Sequence, residues 1–130
     1  ATGRARRCGW LDLVALRYAV RVNGVTHLAV TKLDVLDGFD ELKLCTAYEI
    51  DGEVTEHFPP DRDVSRVKPV LETMPGWSGT TTTGARAWRE LPAHAMAYIS
   101  RIEDVLRVPV ALVSVGAERT ATFSRLAVWN

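Results

Sequence analysis

The sequence predicts an α/β fold, part of a mainly parallel central sheet with an antiparallel excursion. Three observations carry that prediction: two amphipathic helical stretches, two short apolar runs that each end in a polar loop, and an Asp51-Gly52 turn between two strand-like segments. The unit of helix, buried strand and glycine loop near the end of the chain is typical of α/β architecture.

Residues 1–9 read as a polar, arginine-dense loop. From Trp10 the apolar positions Leu11, Val14, Ala15, Tyr18, Ala19 and Val22 recur at helical spacing, until Asn23-Gly24 stops the helix with a C-cap signal. Residues 26–31 are a short, mostly apolar run, expected to be a strand buried on both faces. The loop 32–40 then leaves a strand's C-terminal end, the edge of an open α/β sheet where ligands bind. Residues 42–50 and 53–58 flank Asp51-Gly52 as hairpin arms, closed by Pro59 and Pro60. Residues 67–72 are a further strand candidate, followed by an irregular polar connection through Pro75-Gly76-Trp77 and residues 80–84. Pro92 opens a second helix with an apolar face of Ala95, Met96, Ile99, Ile102, Val105 and Leu106. Residues 108–115 are the second buried-strand candidate, and they run directly into Gly116. No repeat, low-complexity tract or linker divides the chain.

At 130 residues and 47% apolar, the chain can bury a core as one domain or part of one. Lys plus Arg and Asp plus Glu each number 16, and this balance excludes a protein built as a whole to bind nucleic acid or a membrane surface. Cys8 and Cys45 lie far apart without metal-type spacing, which suits a reduced, cytoplasmic protein in which both are ordinary core or semi-buried residues. No apolar run approaches the roughly 20 residues of a membrane span, and the basic start lacks a signal peptide's apolar stretch. The chain starts at Ala1 inside a loop, as expected of a piece of something longer.

Three groups of residues suggest chemistry. Thr31-Lys32-Leu33-Asp34 stands at a predicted strand end. An ionised Asp34 offers two acceptor oxygens to the adjacent N1–H and amino donors of guanine, and adenine lacks that donor pair. The Lys32 stem can lie across the base while its ammonium stays wet. Ser114-Val115-Gly116 closes the other strand, where a backbone N–H can approach guanine O6 while Ser114 steadies the loop. Thr2-Gly3-Arg4-Ala5-Arg6-Arg7 is suited to gripping small polyanions, since guanidinium groups bind carboxylates and phosphates in bidentate fashion. Each also has a plain alternative: a solvated surface pair, ordinary turns, a solvated basic turn. His27, His57 and His94 show neither metal spacing nor a nucleophilic triad, so no metal ligand or catalytic residue is assigned. Trp10, Trp77, Trp88 and Trp129 read as packing residues, and nothing singles out Asp12 or Asp37 for acid–base work.

With these residues in view, the chain resembles the adenylosuccinate synthetase family. The matching strings are Thr2-Gly3-Arg4, Cys8-Gly9-Trp10-Leu11-Asp12, Thr31-Lys32-Leu33-Asp34-Val35-Leu36-Asp37-Gly38, Glu72-Thr73-Met74-Pro75-Gly76-Trp77, Val108-Pro109, Ser114-Val115-Gly116 and Glu118-Arg119-Thr120. The resemblance implies a sheet related to that of P-loop GTPases, with residues 1–130 as the C-terminal portion of a single domain. It implies GTP-dependent ligation of IMP and L-aspartate in AMP biosynthesis, with Mg2+ as cofactor and a homodimer at full length. GTP contacts fall on Arg6, Lys32, Leu33, Asp34, Ser114, Val115 and Gly116, and L-aspartate and IMP contacts on Thr2, Gly3, Arg4, Ala5 and Arg6. The phosphate loop, catalytic residues and magnesium ligands are expected upstream, so the isolated piece should be inactive. Ala5 and Ala117 depart from the family pattern, as does the ending Ala127-Val128-Trp129-Asn130.

Two other classes remain as alternatives: a guanine-nucleotide-binding module without ligase chemistry, which has no use for Arg4, and an interaction domain with vestigial loops, which has no nucleotide preference. Expressed alone, the piece should self-associate through strand edges and apolar faces whose neighbours are missing.

Overall fold

A computed structural model describes residues 3, 5, 8–61 and 63–125. The expected first helix begins later than its periodicity suggests. Leu11 and Asp12 form a short strand, β1 (Leu11–Asp12), parallel to Leu44 and Cys45, and α1 (Leu13–Asn23) starts immediately after it. Asp12 sits at the boundary as N-cap, its carboxylate accepting from the Val14 and Ala15 amides at 3.0 Å. The helix stops at Gly24, which adopts a left-handed conformation (φ 63°) and donates to the Val20 carbonyl.

β2 (Leu28–Val30) follows, and a 3-10 turn, Leu33–Leu36, leads from it toward β3 (Glu41–Ile50). β3 pairs antiparallel with β4 (Glu53–Thr55) and β5 (Val67–Pro75). Asp51 (φ 52°) and Gly52 (φ 86°) both take positive φ, as a two-residue turn matching the twist of its strands requires. After a loop come α2 (Ala93–Leu106), β6 (Val110–Ser114) and β7 (Thr122–Ser124).

Two mixed sheets result. One has order β1-β3-β4 with β5 on the other side of β3, and the second has order β2-β6-β7. The α/β class and the antiparallel excursion are what the chain forms; β1 with β3 and β2 with β6 are parallel, and the other pairings are antiparallel. β2 departs from expectation: Leu28 and Val30 are half-buried and Ala29 is exposed, because among the described residues β2 is a sheet edge with a partner on one side.

The main core joins Leu13 of α1, Leu42 and Leu44 of β3, and Val110 and Val113 of β6 to the α2 face of Ala95, Tyr98, Ile99, Ile102 and Leu106. Each fully buried aliphatic side chain contributes about 1.5–3 kcal/mol relative to exposure. A smaller cluster of Val14, Cys45, Tyr48 and Ile50 lies on the other face of β3. Arg101 of α2 makes a bidentate pair with Glu72 of β5, both bonds 2.8 Å, tying helix to hairpin. Among the described residues, no helix is long and apolar enough to cross a membrane.

Candidate functional site

The parallel register of β2 and β6 sets Val30 opposite Val113, so the loops that follow them leave the same end of the sheet. Neighbouring strands lie about 4.8 Å apart. Residues 31–34 and 114–116, far apart in the chain, are therefore adjacent in the fold.

On the first loop, Lys32 is exposed and caps the 3-10 turn in a left-handed conformation (φ 58°, ψ 34°), unusual for a residue with a side chain. Its carbonyl accepts from the Val35 amide at 3.2 Å. Leu33 is 1% exposed and packs in the core, so only its backbone can reach a ligand. Asp34 is half-buried in the first turn, and among the described residues no hydrogen bond reaches its carboxylate.

On the second loop, Ser114 donates its hydroxyl to the Gly116 carbonyl at 3.1 Å, a contact that steadies the turn. The Val115 side chain is buried, and its amide is engaged by the Ala121 carbonyl at 3.0 Å, so the donors left to a ligand begin at Gly116. A Cβ at Gly116 would lie 3.1 Å from the Ala121 Cβ, a close contact that favours a small residue in the short turn after β6. A cavity of about 380 Å³ opens beside Lys32, walled by Trp10, Leu28, Val30 and Val35, but its lining leaves out Asp34 and residues 114–116. Because Asp34 and residues 114–116 are absent from its lining, it flanks the two loops rather than joining them.

Of the arginine loop, Thr2, Arg4 and Arg6 lie outside the described residues, as does Arg7. Gly3 (φ 68°) and Ala5 are exposed.

Sequence reading passed over Asp37, and the fold gives it a role. Its carboxylate accepts from the Trp77 indole N–H (2.6 Å), the Thr81 hydroxyl (2.7 Å), and the Thr82 amide and hydroxyl (3.1 and 3.0 Å). Partial burial acts to raise its pKa, but the bonds from Thr81, Trp77 and Thr82 outweigh that effect and hold it below the ordinary 3.8. These partners lie some forty residues away, where no local pattern could reveal them. Asp12 is likewise occupied structurally, capping α1 and accepting the Tyr48 hydroxyl. Cys45 is buried; burial first, then the nearby Asp12, push its thiol up and keep it protonated, as befits a packing residue. Cys8, by contrast, is exposed. Trp77 is buried as expected, whereas Trp10 is 38% exposed against Phe39. Among the described residues no three His, Cys, Asp or Glu side chains converge as a metal site.

The family model for adenylosuccinate synthetase matches residues 1–123. Among solved structures, the chain is similar to a fully ligated adenylosuccinate synthetase from Plasmodium falciparum, with 33% identity and a TM-score of 0.88 over 96% of this chain. The chain spans 30% of that protein's length.

Proposed function

The chain belongs to the adenylosuccinate synthetase family, and from that premise we propose that it serves within a longer, cytoplasmic, GTP-dependent ligase that joins IMP to L-aspartate in purine biosynthesis. Its part is to read the guanine of GTP and to hold L-aspartate beside IMP. The observation that carries the reading is the β2/β6 register, which sets the Asp34 and Gly116 loops side by side at one sheet edge.

Asp34 accepts from guanine N1–H and the 2-amino group, and the Gly116 amide donates to O6. With adenine those groups face the wrong partners and remain unpaired, a mismatch that costs far more than a lost methylene. Lys32 lays its stem along the base. Arg4, with Thr2, Gly3 and Ala5 beside it, takes the L-aspartate carboxylates, and Arg6 contacts GTP. The GTP γ-phosphoryl passes to the IMP 6-oxygen; the aspartate amine then attacks C6, the C–N bond forms, and the C6–O bond breaks as phosphate leaves. Magnesium, when bound, neutralises phosphate charge. Its ligands, like the acid–base groups, come from elsewhere in the full-length enzyme, which acts as a homodimer.

The test is GTP against ATP binding by the full-length enzyme, wild type beside Asp34→Asn. The amide turns a donor toward guanine's donors, so GTP affinity should fall by at least about 100-fold while ATP binding, already weak, stays level. Unchanged GTP affinity would remove the base-reading role. Arg4→Ala separates the ligase from a plain nucleotide-binding module: GTP binding is retained and the L-aspartate KM rises.

A further inference from the structure

We propose that Asp37 is a positioning residue for guanine selectivity, fixing the turn that carries Asp34 to Trp77 and Thr82, the two buried ends of the connection between them. The inference rests on the guanine-reading role of Asp34.

Asp34 lies within the 3-10 turn Leu33–Leu36, and Asp37 is the residue that ends it. The Asp37 amide donates to the Asp34 carbonyl at 3.1 Å, while its carboxylate faces the other way and binds the connection. Two of the donors are held in the interior: Trp77 is 3% exposed and Thr82 fully buried. Adjacent contacts reinforce the joint. The Gly76 amide donates to the Asp40 carbonyl at 2.8 Å, and a Cβ on Gly76 would lie 2.1 Å from the Phe39 carbonyl oxygen. At the other end of the turn, buried Leu33 and the left-handed Lys32 fix where the chain enters.

Asp34 is thus presented on a turn held at both ends, whereas its own carboxylate has no partner among the described residues. A carboxylate that must meet two donors at once tolerates little displacement, because both bonds weaken together. A loop staple that served stability alone would lower the amount of folded protein and leave the ratio between two nucleotides unchanged. A positioning residue changes that ratio.

The experiment measures kcat/KM for GTP and for ITP, which keeps N1–H and O6 but lacks the 2-amino group, in the full-length enzyme. Asp34→Asn should abolish the preference for GTP. Asp37→Asn should cut it about tenfold, with the KM for L-aspartate within about twofold of wild type. Thr81→Val removes one donor from an exposed side chain, leaves folding intact and should cut the preference about threefold. If Asp34→Asn erases selectivity but Asp37→Asn and Thr81→Val keep the wild-type ratio, the positioning role is overturned and the guanine reading stands. Should Asp37→Asn fail to fold, Thr81→Val decides alone. An unaltered ratio in Asp34→Asn brings down both.

Discussion

The β2/β6 edge and the connection of residues 76–84 touch at one 3-10 turn, yet they treat polar groups in opposite ways. In the connection, donors and acceptors pair with one another: Thr82 is fully buried with its hydroxyl and amide both on Asp37, and at the surface Ser78 donates to Asp40 at 2.5 Å. At the edge, Lys32 is exposed and Asp34 carries a carboxylate with no described partner. A polar group satisfied by its own fold is part of the scaffold, and one held in a fixed place without a partner is available to a ligand. Charge and residue type alone do not separate the two, since Asp34 and Asp37 belong to the same short motif.

The comparison can be broken by substitutions that should hurt stability on one side and selectivity on the other. The largest stability effect is expected of Gly76→Ala, whose methyl would press on backbone that cannot swing aside; about 3 kcal/mol should be lost in denaturant unfolding. Asp12→Ala removes the α1 cap and orphans the buried Tyr48 hydroxyl, and should cost about 2 kcal/mol without touching selectivity. Lys32→Gly should run the other way: relief of a left-handed side-chain residue gains about 1 kcal/mol in the same assay while discrimination between GTP and ATP declines. A stability loss there would erase the contrast between the regions.

The smallest effect is one of pH. The Arg101 hydrogen bonds hold the Glu72 carboxyl below its ordinary value of 4.5, outweighing the burial that raises it. A folded-state pKa below the unfolded one means that the native protein binds fewer protons in that range. The pair's contribution is therefore complete above pH 4.5 and is lost as pH falls through the lower native value. Both side chains are about a third exposed, so the pair is worth only about 0.5 kcal/mol. Glu72→Gln should lower stability by that amount at neutral pH and leave it unaltered well below the native value, so that the acid limb of the stability curve flattens.

Much of the scaffold was legible because its signals are local. Helical spacing with Asn23-Gly24 marked α1, Pro92 and its apolar face marked α2, and Asp51-Gly52 marked the hairpin, whose turn residues take the positive φ values expected. The β6 run was also clear: Val110, Ala111 and Val113 are buried, and the strand ends at Ser114, one residue short of the expected end. β1 was not legible: two residues carry no period, and they become a strand only by meeting Leu44 and Cys45. β2 was expected as a strand, but its exposure was not, because burial depends on neighbours that an apolar run does not name. At the site, Lys32, Asp34 and Gly116 could be picked out by chemistry and family likeness, but Asp37 could not. Its partners, Trp77, Thr81 and Thr82, reach it only through the β3/β5 fold-back, which brings Leu42 opposite Met74.

The pairing of Val30 with Val113 also fixes an order of events as the chain folds. The hairpin about Asp51-Gly52 closes a short loop and can form early, whereas β2 must wait for β6, which emerges from the ribosome after nearly everything between them. The closure entropy of that long loop grows only slowly with its length, but it is lost before any ladder bond returns it. A nascent chain can therefore close the β3/β4 hairpin well before β2 and β6 are paired.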